Sequence, residues 1–233
     1  MSSAPATMIS AANVHRRFGK GELVTHVLKG IDLTVTAGEY LVIMGKSGAG
    51  KSTLMYQLSV LDTPDEGSIT VAGADVTRFT ERDATQFRLE TLGYVFQDYA
   101  LVPDLNAREN VMMPLLMRGI DWEVAGATAD SSLDAVGLAG KYLNLPGQLS
   151  GGEQQRVAVA RALAGKPKII FADEPTANLD SVSGHQVIDL LTCLHREFGQ
   201  TIVMVTHERE YARDCDRILH MEDGHITSEE RLR

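Results

Sequence analysis

The residues best suited to chemistry are Gly45-Lys46-Ser47-Gly48-Ala49-Gly50-Lys51-Ser52, which match the phosphate-binding pattern G-x-x-x-x-G-K-[ST]. Glycines at that spacing let backbone N–H groups come close to phosphate oxygens. Lys51 would reach the β- and γ-phosphates of a nucleotide, and the Ser52 hydroxyl would help hold Mg²⁺. Two adjacent carboxylates, Asp173 and Glu174, end the apolar run Ile169-Ile170-Phe171-Ala172. Asp173 is placed to reach Mg²⁺ directly or through water, and Glu174 to accept a proton from, or orient, an attacking water. In a third stretch, Leu149-Ser150-Gly151-Gly152-Glu153-Gln154-Gln155-Arg156, two glycines follow a serine and open a helical run. That is a second helix N-terminus suited to an anion. One nucleotide cannot readily use two such cradles in one subunit. Two subunits facing each other, each completing the other's site, satisfy both.

These residues need elements to hold them. The apolar run Tyr40-Leu41-Val42-Ile43-Met44 predicts a strand leading into the glycine loop, and Ser52-Thr53-Leu54-Met55-Tyr56-Gln57-Leu58 predicts the helix after it. Alternation of apolar and polar residues predicts strands over 9–18 and 27–35, with a Gly19-Lys20-Gly21 turn between them. Pro64-Asp65-Glu66-Gly67 turns the chain into a short strand over 68–73, and 92–97 reads as another. From Ala107 to Ala164 the pattern is helical, with turns near Gly119, Gly137 and Pro146. Buried strands are predicted over 168–173 and 201–205. Between them Val187, Leu190, Leu191, Leu194 and Phe198 form a core-facing helical stripe. Residues 218–226 read as a hairpin with Asp223-Gly224 at its turn. Apolar strands alternating with helices imply an α/β fold with a mostly parallel sheet covered on both faces, and the β-rich start implies an added antiparallel lobe. Ligands in such sheets gather at the carboxyl ends of the strands, where the glycine loop and the carboxylate pair both fall.

The bulk properties narrow the class. A chain of 233 residues without repeats or low-complexity linkers suits one domain, read here as 1–233. Its β-rich lobe covers about 8–35 and 65–80, and its helical subdomain about 98–164. A net charge of -9 argues against bulk polyelectrolyte binding, so no nucleic-acid partner is expected. Cys193 and Cys215 show neither metal spacing nor a disulfide framework and read as small buried or half-buried thiols of a reducing compartment. The first seven residues lack the charged start and apolar centre of a signal peptide, and no apolar run approaches a bilayer span. Any membrane role is therefore expected through a partner.

Taken in order, the glycine loop, Gln97, Leu149-Ser150-Gly151-Gly152, Asp173-Glu174, Asn178-Leu179-Asp180 and His207 make this chain similar to the nucleotide-binding domain of ATP-binding cassette (ABC) transporters, over nearly its whole length. The resemblance implies a P-loop NTPase core, ATP and Mg²⁺ as ligands, ATP hydrolysis, and an ATP-dependent homodimer. It also implies a transmembrane permease subunit as partner, with the chain peripheral on the cytoplasmic face of the membrane. Position by position, it gives ATP contacts to Gly45 through Thr53, with Phe18 as the aromatic residue stacked on adenine. Ser52, Gln97 and Asp173 become metal contacts, and Glu174, Gln97 and His207 the catalytic set. Ser150, Gly151, Gly152 and Glu153 resemble the signature that contacts the γ-phosphate of ATP held by the opposite subunit. Asp180 resembles the aspartate that links the two sites across the dimer. Two departures stand out: Phe18 replaces a frequent tyrosine, and Glu153 a frequent glutamine, adding negative charge near phosphate. The other histidines, His15, His26, His185, His195, His220 and His225, read as structural.

Finer stretches resemble the subgroup serving lipoprotein release, macrolide export and the division-linked transporter pair. They are 48–54, Leu61-Asp62-Thr63-Pro64, Glu109-Asn110-Val111 with Pro114-Leu115, and Ala172-Asp173-Glu174-Pro175-Thr176. The methionines and leucines over 111–117 pack the helical lobe, and some remain to line a groove for a permease helix. An alternative is a soluble ABC ATPase without a membrane partner. Its usual coiled-coil insertion, zinc cysteines or duplicated cassette are not found in this chain. A small-molecule kinase would lack the Leu149-Ser150-Gly151-Gly152 stretch.

Overall fold

The computed structural model describes residues 6–19 and 21–232. Along the chain run β1 (Thr7–Phe18), β2 (Thr25–Thr36), β3 (Tyr40–Met44), α1 (Lys51–Leu58), β4 (Glu66–Val71), β5 (Ala74–Asp75), α2 (Glu81–Thr91) and β6 (Leu92–Val95). Then follow α3 (Ala107–Met117), α4 (Trp122–Ala135), α5 (Gly151–Ala164), β7 (Ile169–Asp173), α6 (Ser181–Phe198), β8 (Thr201–Thr206), β9 (Arg217–Glu222) and β10 (His225–Arg231). They fall into two compact units, one built from residues up to Gln86 together with Leu194 onward, the other from Phe87–Cys193.

In the first unit β2, β1, β4 and β5 form an antiparallel sheet in that order. Its inner face is set by apolar residues that alternate except where the register shifts: Ile9, Ala11 and Val14 of β1 and Leu28, Ile31, Leu33 and Val35 of β2 are buried. A parallel pairing joins β3 to β8, Tyr40↔Ile202 through Met44↔Thr206, and another joins β3 to β9, Leu41↔Arg217 through Met44↔His220. All five residues of β3 and all six of β8 are buried. A strand covered on both faces is apolar along its middle, which is why these runs lack alternation, with threonine only at the two ends of β8. Helix α1 touches β1, β2 and β4 of the antiparallel sheet and β8 of the parallel one, so Leu54, Met55 and Leu58 are fully buried.

In the second unit β6 and β7 pair in parallel, Leu92↔Ile169 through Val95↔Ala172. Helices α3, α4 and α5 pack on one another, and α5 also packs on β6. Asn106 starts α3 with a capping box, its side chain accepting from Glu109 N while Glu109 accepts from Asn106 N. Left-handed Gly119 and Gly137 end α3 and α4 where turns are expected. The parallel pairs and the antiparallel lobe bear out the α/β class.

Several expectations need correction. Helix α2 has no sequence forecast, because its run Glu-Arg-Asp-Ala-Thr-Gln-Phe-Arg-Leu-Glu-Thr is polar on nearly every side. The strand expected over 92–97 stops at Val95. On α6 the buried positions are Gly184, Val187, Ile188, Leu191 and Thr192. The stripe is thus rotated from the expected one: Leu190 and Leu194 lie at its margin and Phe198 is 73% exposed, off the packed face. Cys193 is exposed, whereas Cys215 is buried and its thiol pushed up to about 12 by desolvation. Between β1 and β2, Gly19 is left-handed and a 3-10 turn spans Gly21–Leu23, while Lys20 lies outside the described residues. The Asp-Gly hairpin is as expected, with φ of 46° at Asp223 and 80° at Gly224 joining β9 to β10.

Candidate functional site

In the first unit the glycine loop leaves the buried end of β3 and turns into α1. A Cβ on Gly45 would come within 2.3 Å of Met221 O, so the loop can lie against β9 only without a side chain there. Gly48 and Gly50 have φ of 81° and 96°, values open to glycine that let the loop turn back into α1. The loop's shape is closed by Ala49 N donating to Lys46 O at 3.2 Å. It is also braced from outside. Gly224 N, in the β9–β10 turn, donates to Ala49 O at 3.1 Å, and Lys29 N of β2 donates to Gly224 O at 3.0 Å. A Cβ on Gly224 would meet Val27 O at 2.4 Å, so this brace too needs glycine.

Gly50 is the N-cap of α1; no side chain caps it and no acidic residue sits in the first turn. A helix start of that kind offers backbone donors and the positive end of the dipole to an anion. Lys51 adds the only full charge in the first turn: it is 8% exposed, and its ammonium donates to Gly45 O at 2.9 Å and Lys46 O at 3.2 Å. The cation is thus held against its own loop by two of that loop's carbonyls. These features fit a nucleotide polyphosphate. His207 follows Thr206, the register partner of Met44, so it leaves β8 level with Gly45 and is exposed there. Phe18 ends β1 with 45% of its surface open, and the Arg16 guanidinium lies 4.7 Å from its ring centre. Arg16 is itself held by Asp62 through bonds of 2.7 and 2.8 Å, which fixes the cation–π contact.

In the second unit the pairing of Val95 with Ala172 carries Gln97 and the Asp173-Glu174 pair off the same end of adjacent strands. Asp173 is buried, and Glu174 is half-buried with φ of 43°, a left-handed conformation that costs a non-glycine residue about 1 kcal/mol or more. Two side chains tie these turns together. Gln155, fully buried on α5, donates from Nε2 to Pro175 O at 2.7 Å and to Phe96 O at 3.2 Å. Asn178 Nδ2 donates to Gln97 O at 3.0 Å. Beyond Gln97, Tyr99 and Ala100 are both left-handed, and Arg161 of α5 donates to the carbonyl oxygens of both. The sequence reading missed Gln155, Arg161 and Tyr99. Its available signal was a glutamine on the apolar side of α5, three residues after Gly152 and four before Val159.

The signature stretch opens α5. Ser150 is the N-cap: its Oγ accepts from Glu153 N at 3.3 Å, and Glu153 Oε2 accepts from Ser150 N at 2.9 Å. Glu153 Oε1 lies 3.3 Å from Lys141 Nζ. The Ser150 N–H, then Lys141, hold the Glu153 carboxyl below the ordinary carboxylate range. A Cβ on Gly152 would come 2.8 Å from Ser183 Cβ of α6, which has no room to yield, whereas one on Gly151 would meet the end of the Tyr99 side chain at 2.9 Å, a contact that a small movement of Tyr99 relieves. Asp180 caps α6, accepting from Ser183 N at 3.0 Å and Ser183 Oγ at 2.8 Å, and these bonds lower its carboxyl below the usual range. The structure therefore gathers the phosphate loop, His207 and Phe18 in one unit, and Gln97, Asp173, Glu174, the signature and Asp180 in the other. Among the described residues no helix is long and apolar enough to cross a membrane.

Comparison with known proteins places the whole chain beside one family. The family described as ABC transporter matches residues 28–177. The lipoprotein-releasing system ATP-binding protein LolD of Shewanella frigidimarina is 43% identical over 224 residues, covering 96% of this chain and 94% of that protein. The macrolide export ATP-binding/permease protein MacB 1 of Aeromonas hydrophila is 44% identical over 224 residues, and there the chain spans only 34% of the relative's length. Among solved structures, the ATP-binding cassette MJ0796, dimeric and bound to ADP and Pi in a post-hydrolysis state, superposes with a TM-score of 0.90 at 40% identity. That match covers 97% of this chain and 99% of the other.

Proposed function

This chain belongs to the ABC transporter family and is one of its nucleotide-binding ATPases, and from that premise we propose that it drives a membrane permease by an ATP-gated cycle of dimer closing and opening. The start of α1 carries this reading: a glycine-led helix without a side-chain cap, with the buried Lys51 ammonium laid over its loop. Backbone N–H groups from Gly45 to Thr53, with Lys46, Ser47, Gly48, Ala49, Gly50 and Lys51 between, take the phosphates of ATP. The open face of Phe18 takes the adenine. Ser52, Gln97 and Asp173 would hold Mg²⁺ through their side-chain oxygens, the donor chemistry that this hard cation takes. The chemistry the ion would supply there is neutralisation of charge on the β- and γ-phosphates.

Glu174 orients the attacking water and takes its proton, and His207 donates toward the γ-phosphate. Ser150, Gly151 and Gly152 of a second copy, with Glu153 beside them in the signature, meet the same γ-phosphate, and Asp180 relates the two sites of the dimer. ATP contacts both copies and so favours the closed pair; cleavage removes the shared phosphate and that differential affinity with it. The LolD and MacB likenesses support lipoprotein release or export as the work performed, with the chain held at the cytoplasmic face by its permease. The test is a Glu174→Gln variant purified with MgATP from solubilised native membranes. Recovery of a multi-span membrane protein with an ATP-bound dimer is expected. Recovery of soluble partners alone would overturn the membrane reading.

A further inference from the structure

The signature of this chain carries an acid where phosphate is to arrive, and the structure shows how that acid is managed. Glu153 lies in the first turn of α5 with Oε2 on Ser150 N at 2.9 Å and Oε1 3.3 Å from Lys141 Nζ. The lysine does not come from α5. It belongs to the connection between α4 and the 3-10 turn Pro146–Gln148, and its backbone is fixed on both sides. Lys141 N donates to Leu138 O at 3.0 Å, and Lys141 O accepts from Asn144 N at 3.1 Å. The same connection is anchored on α3, where Arg108 N donates to Tyr142 O and Ala107 N to Asn144 O, each at 2.9 Å. An ammonium on a fixed stretch of chain thus meets a carboxylate held against its own helix start.

We propose that Lys141 is a positioning residue for phosphate capture in trans: it neutralises Glu153 and keeps that carboxylate folded on the α5 backbone, so that the signature can accept the γ-phosphate of nucleotide bound by a second copy of the chain. This rests on the dimer reading given above. Without Lys141 the mouth of the signature carries an unbalanced negative charge. A carboxylate there competes with the incoming anion for the same helix dipole and N–H groups, and repels it. The side chains are 44% exposed at Lys141 and 21% at Glu153, so solvent screens the pair and its effect is modest at one site. A factor of about 2 to 5 per site is expected. A two-fold dimer contains the pair twice, and the factor is squared to about 4- to 25-fold in the dimer dissociation constant.

The experiment uses the full chain with Glu174→Gln as parent, so that MgATP-driven dimers persist, and measures dimerisation by sedimentation. Lys141→Met should weaken the MgATP dimer about 4- to 25-fold, with fluorescent-nucleotide binding to the monomer unchanged. Lys141→Arg should restore parent behaviour, since it keeps the positive charge beside Glu153. Glu153→Gln should dimerise at least as tightly as the parent, and Lys141→Met added to Glu153→Gln should have no further effect. The proposal is overturned if Lys141→Met dimerises like the parent, or if the double variant is as weak as Lys141→Met alone. A parent that binds ATP yet stays monomeric would overturn the dimer reading and this proposal with it; a dimerising parent indifferent to Lys141 would overturn only this one.

Discussion

Two helices of this chain begin with glycines and are assigned to the same phosphate, yet their first turns are built in opposite ways. At α1 the N-cap is Gly50, no side chain closes the turn, and the nearest charge is the Lys51 ammonium. At α5 the N-cap is Ser150, a capping box closes the turn, and the nearest charge is the Glu153 carboxylate with Lys141 behind it. The first is a helix start that no N-cap side chain closes. The second has already satisfied part of its donor set, so it is stable as a helix start without any ligand. An open start binds by itself; a closed one adds a contact only when another molecule presents phosphate. That asymmetry suits a subunit that must hold ATP before it meets its partner.

The sharpest test of the comparison prolongs the state in which both starts share one phosphate. Glu174→Gln should lower ATP turnover about 100- to 10,000-fold, read by phosphate release, while a MgATP dimer accumulates. Undiminished turnover would remove Glu174 from the base role. Breaking the open start comes next. Lys51→Met deletes a charged donor and should weaken ATP binding to the monomer about 10- to 150-fold, measured by nucleotide fluorescence.

The frame behind the closed start can be broken at Gln155. Gln155→Leu strips the donor from Phe96 O and Pro175 O, and should cost about 1–3 kcal/mol in urea unfolding. Opening the closed start itself has a smaller effect. Ser150→Ala removes the cap and should cost about 1 kcal/mol by the same measurement, together with weaker MgATP dimerisation. The smallest effect is in pH. Because the Glu153 carboxyl is lowered in the folded chain, the stability it contributes is complete above the ordinary carboxylate value and is lost as pH falls through the lowered one. Acid titration of Glu153→Gln should therefore show a shallower loss of stability over that window than the parent.

What could be read from residues alone was whatever is local. The loop Gly45 to Ser52, its flanking strand and helix, and the Asp223-Gly224 turn each depend on a few consecutive residues, and they occur where expected. Helix α2 was not legible because it lacks an apolar stripe, and the face of α6 was misjudged at Phe198 because a stripe of leucines continues past the surface it packs on. Gln155 is the instructive case. Its partners Phe96 and Pro175 are 59 and 20 positions away, and a hydrogen bond over such separations leaves no period in the sequence.

The sequence by itself therefore determined the class of chemistry, because spaced glycines, a lysine and paired carboxylates occur along the chain in the order expected of an ABC ATPase. Only the tertiary structure decided how the motifs are braced and balanced. The hairpin turn behind the phosphate loop, the glutamine joining two strand ends, and the lysine neutralising Glu153 are contacts between residues that chain order keeps apart and packing brings together.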